Sequence, residues 1–228
     1  MKKVIVLSLG GSLIIPDDIN VKLLKEFKRV VLKNKKNWKF IIVCGGGSIA
    51  RKYISALAKE GIGERFQSYS GISATRTNAR FVGHFFNHNS NDGVPTTIKR
   101  VKKDLSEMDI VFCGALEYRE RQTSDSTAAE IAKELGCIFI NLTNVPGLYN
   151  KNPKENKDAK FIENVTWKEF HKMAMKIRFK PGLHFVLDAE AAGIIMKHKI
   201  KTYIIGSNMK NLDNFLNNKK FRGTRIEG

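Results

Sequence analysis

Apolar runs alternate along this chain with segments whose apolar residues recur every three or four positions. Residues 4–9 are apolar except for Ser8, the pattern of a strand covered on both faces. Val21, Leu24, Phe27, Lys28 and Val31 fall at helical spacing and define one mainly apolar stripe, with Asp17-Asp18 offering an N-cap ahead of it. Residues 40–44 repeat the strand pattern, and Ile49, Tyr53, Leu57 and Ala58 the helical one. Gly61 and Gly63 stop that helix, and a second is expected over residues 73–88. A polar loop at 88–94 precedes a strand at 109–113, a helix at 124–135 and a strand at 137–142.

The last third continues in the same way. A polar loop covers residues 150–158 and contains Pro153; Thr166 caps a helix that starts at Trp167. Residues 188–198 form a helix, which Asp188 is expected to cap, and residues 201–205 a strand. A helix at 208–216 and a short strand at 223–226 close the chain. Such alternation predicts an α/β fold, a parallel or mixed sheet with helices on both faces. At 228 residues a single domain is expected.

Two glycine clusters stand directly after strands: Gly10-Gly11-Ser12 and Gly45-Gly46-Gly47-Ser48. Glycines there let backbone approach a ligand closely, and the amides of such turns bind anionic oxygens. The second cluster also opens a helix, whose N-terminus favours phosphate, with Arg51 one turn inside as a bidentate partner. Neither cluster is a Walker A or dinucleotide-binding fingerprint. An ordinary tight turn and an exposed arginine are the plainer alternatives.

Composition changes the picture little. Forty Lys+Arg against 22 Asp+Glu leave +18, a balance attractive to polyanions. The lysines are scattered as on solvated helix faces, and no zinc-finger or RNA-binding motif accompanies them, so nucleic-acid binding is not expected. Cys44, Cys113 and Cys137 each border an apolar run and lack metal or disulfide spacing, which fits small core residues in a cytoplasmic protein. The basic, apolar start breaks at Gly10-Gly11 without a small-residue cleavage site, so it reads as a first strand rather than a leader. No run approaches a membrane span. His84, His88, His171, His184 and His198 lack metal-ligand spacing, so no metal site is expected within the protein. Trp38 and Trp167 read as packing anchors.

Several longer strings then resemble the amino acid kinase superfamily, and within it the archaeal-type uridylate kinases. They are Leu9-Gly10-Gly11-Ser12-Leu13, the run from Gly45 through Arg51 to Ile54, and Gly71-Ile72-Ser73-Ala74-Thr75-Arg76-Thr77-Asn78-Ala79. Thr123-Ser124-Asp125, Thr143-Asn144-Val145-Pro146-Gly147-Leu148-Tyr149, Leu187-Asp188-Ala189-Glu190-Ala191-Ala192 and Gly223-Thr224 follow in family order. The resemblance implies a three-layer α/β/α sandwich with a mainly parallel central sheet, ATP-dependent phosphorylation of UMP to UDP, Mg²⁺, and a hexamer built as a trimer of dimers. It implies catalytic roles for Gly10, Gly11, Ser12 and Asp125. ATP would meet Gly11, Ser12, Gly47, Arg51, Thr143, Asn144, Tyr149 and Asn152. UMP would meet Gly46, Ser68, Gln122, Thr123, Ser124 and Asp125.

The chain departs from that pattern in places. Leu7 stands where many relatives carry Lys, and Ser68 where an Asp meets the UMP ribose. Residues 115–122 replace a G-G-T-x-P-G segment and carry Arg119 and Arg121; Pro146 and Asn152 replace aspartates. Two other functions therefore stand beside UMP kinase: a related small-molecule kinase with another acceptor, and a nucleotide-binding homologue without catalysis.

Overall fold

The computed structural model describes residues 2–88, 93–119, 122–151, 153, 155–177 and 186–228. The expectations placed on Asn152, Arg121 and His184 fall outside them. The described elements run β1 (Lys3–Leu9), α1 (Gly11–Ile14), α2 (Val21–Asn34), β2 (Trp38–Cys44), α3 (Gly47–Lys59), α4 (Glu64–Phe85), α5 (Ile98–Glu107) and β3 (Ile110–Cys113). They continue α6 (Ser124–Leu135), β4 (Ile138–Leu142), β5 (Leu148–Tyr149), β6 (Phe161–Ile162), β7 (Asn164–Val165), α7 (Trp167–Ile177), α8 (Ala189–His198), β8 (Thr202–Ile205), α9 (Met209–Leu216) and β9 (Gly223–Ile226).

One sheet has the order β3-β2-β1-β4-β8-β9-β7, while β5 and β6 pair separately. Neighbours are parallel from β3 through β8, and β9 runs antiparallel to β8. Strand pleating divides the apolar residues between two layers of core. Ile5, Leu7 and Leu9 join Leu24, Phe27, Val82 and Leu212 on one face. Val6, Ile41 and Val43 join Val101, Ile131, Phe170 and Ile195 on the other. Both faces of the sheet are covered, which is why its strands are continuous apolar runs rather than alternating ones. Each fully buried Phe or Ile contributes roughly 1.5–3 kcal/mol of transfer free energy.

Three local expectations change. Asn20, not Asp17-Asp18, caps α2, its side chain accepting from the Leu23 N–H at 3.2 Å. Helix α4 starts at Glu64 rather than Ser73 and runs 22 residues. Its first turns bury little, so they carry no apolar stripe to read; Phe66 stays 62% exposed. Helix α5 lies where no element was expected, although Thr97 caps it and Val101 and Leu105 are buried from it at helical spacing. Trp38 and Trp167 do anchor packing: each indole N–H donates to a backbone carbonyl, of Leu216 and Ile200. No described helix is long and apolar enough to cross a membrane.

Candidate active site

Parallel pairing of β1 with β2 sets Leu9 opposite Cys44, so both glycine clusters leave the sheet at the same level. They interlock. A Cβ on Gly11 would lie 2.0 Å from the Gly47 nitrogen, and one on Gly45 would lie 2.4 Å from the Gly11 nitrogen. Gly47 also sits at φ +61°, a conformation costly to any residue with a Cβ. The expectation that these glycines clear space for a ligand therefore changes: the atoms nearest the missing side chains belong to the opposite loop. The loops form one backbone floor.

Hydrogen bonds fix this floor from below. The Gly10 N–H donates to Leu142 O at 3.1 Å, the Gly45 N–H to Leu9 O at 3.0 Å, and the Ser48 N–H to Ile15 O at 3.0 Å. Buried Asn78 of α4 donates its side-chain amide to Gly45 O at 2.8 Å. Helices α1 and α3 both open on the floor, and neither has a side-chain cap. Their first-turn amides, at Gly11, Ser12 and Gly47, are those a helix leaves without internal acceptors.

Above the floor, at the carboxyl ends of β1, β2 and β4, lies a cavity of about 610 Å³, a size suited to a small-molecule ligand. Gly10, Gly11, Ser12, Gly46, Gly47 and Arg51 line one side. Ser124 and Asp125 line another, and Thr143, Asn144 and Tyr149 a third. Three expected residues, Ser68, Gln122 and Thr123, do not line it. Ser68 lies on α4, and Gln122 donates to Glu130 at 3.1 Å. Arg51 is exposed and donates to Pro16 O at 3.1 Å, which holds its guanidinium at the rim.

Asp125 is the chemically distinctive group. It stands in the first turn of α6, where helix amides favour negative charge. The Ser8 hydroxyl donates to its Oδ1 at 2.7 Å. Burial, and then the negative charge of Asp188, push its pKa up to about 7, while the Ser8 bond pulls the other way. Asp188 is the expected cap of α8, its Oδ1 accepting from the Ala191 N–H at 2.8 Å. Its Oδ2 also accepts from the Thr123 hydroxyl. Thr123 in turn caps α6 in a box with Ser126. One small cluster thus ties the starts of α6 and α8 to the end of β1.

Sequence reasoning named no role for Ser8, Asn78 or Asn141, which the structure places at or under the cavity. Ser8 had a signal, being the polar interruption of a buried strand. Asn141 is buried and donates to Val186 O; both residues line the cavity. The structure also places two of the departures. Leu7 is fully buried in the core, and Pro146 packs against Gly206 outside the cavity lining.

A mainly parallel α/β sheet with an anion-suited floor and a carboxylate at its strand ends defines a phosphate-handling α/β protein. More narrowly, the chain belongs to the Amino acid kinase family, whose pattern matches residues 3–206. It is 32% identical over 203 residues to the uridylate kinase of Thermococcus kodakarensis, covering 89% of each chain. It is 32% identical over 228 residues to the uridylate kinase of Thermoplasma volcanium, covering 100% of this chain and 99% of that one. The crystal structure of uridylate kinase from Archaeoglobus fulgidus superposes with a TM-score of 0.83 at 30% identity, covering 99% of this chain and 100% of that one.

Proposed function

We propose that this chain is a UMP kinase that transfers the γ-phosphoryl group of ATP to UMP, releasing UDP and ADP. The observation that carries the reading is a single cavity holding both glycine loops, Arg51 and Asp125, in a chain similar to uridylate kinases along nearly its whole length.

The chemistry asks the protein for alignment and charge neutralisation rather than a covalent intermediate. A UMP phosphate oxygen forms a bond to the γ-phosphorus as the bond to the β,γ-bridging oxygen breaks. The amides of Gly11 and Ser12 receive the transferred group beside Gly10, whose own N–H is taken by Leu142 O, and those of Gly46 and Gly47, with Arg51, hold the neighbouring phosphates. Thr143, Asn144 and Tyr149 bind the ATP base and ribose, with Tyr149 braced edge-on by Phe161 at 5.4 Å. Ser124 and Asp125 face the acceptor side, with Ser68, Gln122 and Thr123 beyond the cavity. The donor set also fits Mg²⁺: a single carboxylate, Asp125, with Asp188 behind it, matches a cation held chiefly by substrate phosphates. Bound there, Mg²⁺ would neutralise phosphate charge. Among the described residues no cluster of three or more His, Cys, Asp or Glu offers an all-protein cage.

The experiment is a coupled assay of ADP release with Mg-ATP and a panel of nucleoside monophosphates. UDP formation with preference for UMP supports the reading; no turnover with any of them removes it and favours nucleotide binding without catalysis. A second reading, a family kinase with a different acceptor, draws on Ser68 and on the charged sequence of residues 115–122. Non-nucleotide acceptors in the same assay separate it. We also propose a cytoplasmic homo-oligomer, a hexamer built as a trimer of dimers. Tyr53, Ile62 and Phe66, exposed by 53%, 39% and 62% on or between α3 and α4, supply apolar surface for assembly. Sedimentation would give its mass.

A further inference from the structure

The face of β4 turned toward α6 and α8 is apolar at Phe139 and then polar at Asn141. Asn141 is 2% exposed, yet it lines the cavity. Its Nδ2 donates to Val186 O, so the acceptor end of the carboxamide, Oδ1, turns away from Val186. That bond is the single side-chain hydrogen bond of Asn141 among the described residues. The neighbours across the sheet cannot supply another. Ser8 lies beside Asn141 on β1, and Ile204 lies beside it on β8. The Ser8 hydroxyl is already given to Asp125 Oδ1, and an isoleucine side chain has no donor. Among the described residues no side-chain nitrogen or oxygen is both sealed from solvent and without a partner. Oδ1 therefore meets solvent, and the solvent beside Asn141 is that of the cavity.

We infer that Asn141 Oδ1 binds the donor nucleotide by accepting a hydrogen bond from its nucleoside half, from a ribose hydroxyl or the base amine. The inference rests on the kinase reading above and adds a residue to its donor side. An amide oxygen accepts and cannot donate, so it repels phosphate oxygens and selects O–H or N–H groups. In ATP those groups belong to the ribose and the base. Position agrees with chemistry. The Thr143 N–H donates to Ile205 O at 3.0 Å, which carries the pairing of β4 with β8 past Leu142. Asn141 and Thr143 thus stand two residues apart on extended chain, on one face and about 7 Å from each other. Thr143 belongs to the wall given above to the ATP base and ribose. The Val186 bond also fixes the carboxamide before any ligand arrives, so little rotamer freedom is lost on binding. A buried acceptor facing an analogue that lacks the matching donor is left unpaired, which is how such a group discriminates.

The test measures KM for ATP, for 2′-deoxy-ATP, for 3′-deoxy-ATP and for a purine riboside triphosphate without the amine, each at saturating UMP. It compares the parent chain with Asn141→Leu and with Asn141→Ala, which adds no bulk. In the parent, the analogue lacking the bonded group should show a KM about fivefold or more above that of ATP, and its identity tells ribose from base. In both variants the KM for ATP should rise to meet that of the same analogue, with KM for UMP within about twofold. A parent chain that treats every analogue like ATP overturns the inference, whether or not a variant folds. Variants that keep the parent's discrimination, or that lose equally toward ATP and UMP, overturn it as well. If the parent chain does not phosphorylate UMP, the functional reading falls instead. Calorimetric titration with ATP and the same analogues then replaces KM, and equal affinities in parent and variants overturn the inference.

Discussion

The floor of the site and the segment that follows β3 are built from different materials. The floor is backbone on backbone: Gly11 against Gly45 and Gly47, pinned by Leu9, Leu142 and buried Asn78. Residues 114–119 of that segment are held partly by surface side chains, in a clasp of half-buried Tyr118 with Arg65 and Tyr69 and in the pair of Arg119 with Glu130. Backbone packing at van der Waals limits has no slack, because an added methyl must move a main chain. A side-chain clasp on a surface is worth only about 1 kcal/mol and yields without disturbing the core. The contrast teaches which parts are free to vary: the floor is fixed by what glycine lacks, whereas the surface segment is held by side chains that can change without moving the core.

The sharpest way to break the comparison is at the floor. Gly11→Ala places a methyl 2.0 Å from the Gly47 nitrogen. It should abolish measurable turnover and lower stability by about 2 kcal/mol or more, seen as a fall in melting temperature alongside the coupled assay. A Gly11→Ala protein that melts and turns over like the parent would show that the loops are not interlocked.

Much of this contrast could not be read from the chain alone. The six longer strands β1, β2, β3, β4, β8 and β9, most helices and the caps at Thr166 and Asp188 were legible, because each is written in a local period or a single residue type. The glycine clusters were legible as a site, but not as each other's partners, since β1 and β2 meet only through sheet pairing. Ser8 and Asp125 lie 117 positions apart, and no local pattern joins them. The first turns of α4 were missed because their large apolar residues face outward, Phe66 among them. Those same outward turns carry Arg65 and Tyr69, which is why the clasp left no mark in the apolar pattern.

A second, smaller break concerns charge. Asp125→Asn removes the carboxylate but keeps an acceptor for the Ser8 hydroxyl. Turnover should fall by about a hundredfold or more. Stability should move the opposite way. The folded-state pKa stands at about 7 against an ordinary 3.8, so the native state binds the proton more tightly than the unfolded chain. Ionisation therefore costs stability progressively from about pH 4 and fully above about 7. The Asn variant should match the parent near pH 4 and exceed it at pH 8 by on the order of 4 kcal/mol, measured by urea unfolding at both values. Arg51→Ala comes next, with a loss of about ten- to a hundredfold in kcat/KM and no change in melting temperature, because its contact with Pro16 O is exposed.

The smallest effects are the most diagnostic, because two neighbours of one carboxylate should move its titration in opposite directions. Asp188→Asn keeps a good N-cap for α8 but deletes the charge that raises the Asp125 pKa. The acid limb of the kcat profile should shift to lower pH. Ser8→Ala deletes the hydroxyl that favours the ionised form, and the limb should shift to higher pH. Each displacement should be about half a unit to one unit, measured on kcat with saturating substrates between pH 5 and pH 9. Shifts of the same sign, or none, would mean that the limb belongs to another group. Opposite shifts would tie turnover to the ionisation of Asp125, and tie that ionisation to a strand and a helix that meet only in the folded chain.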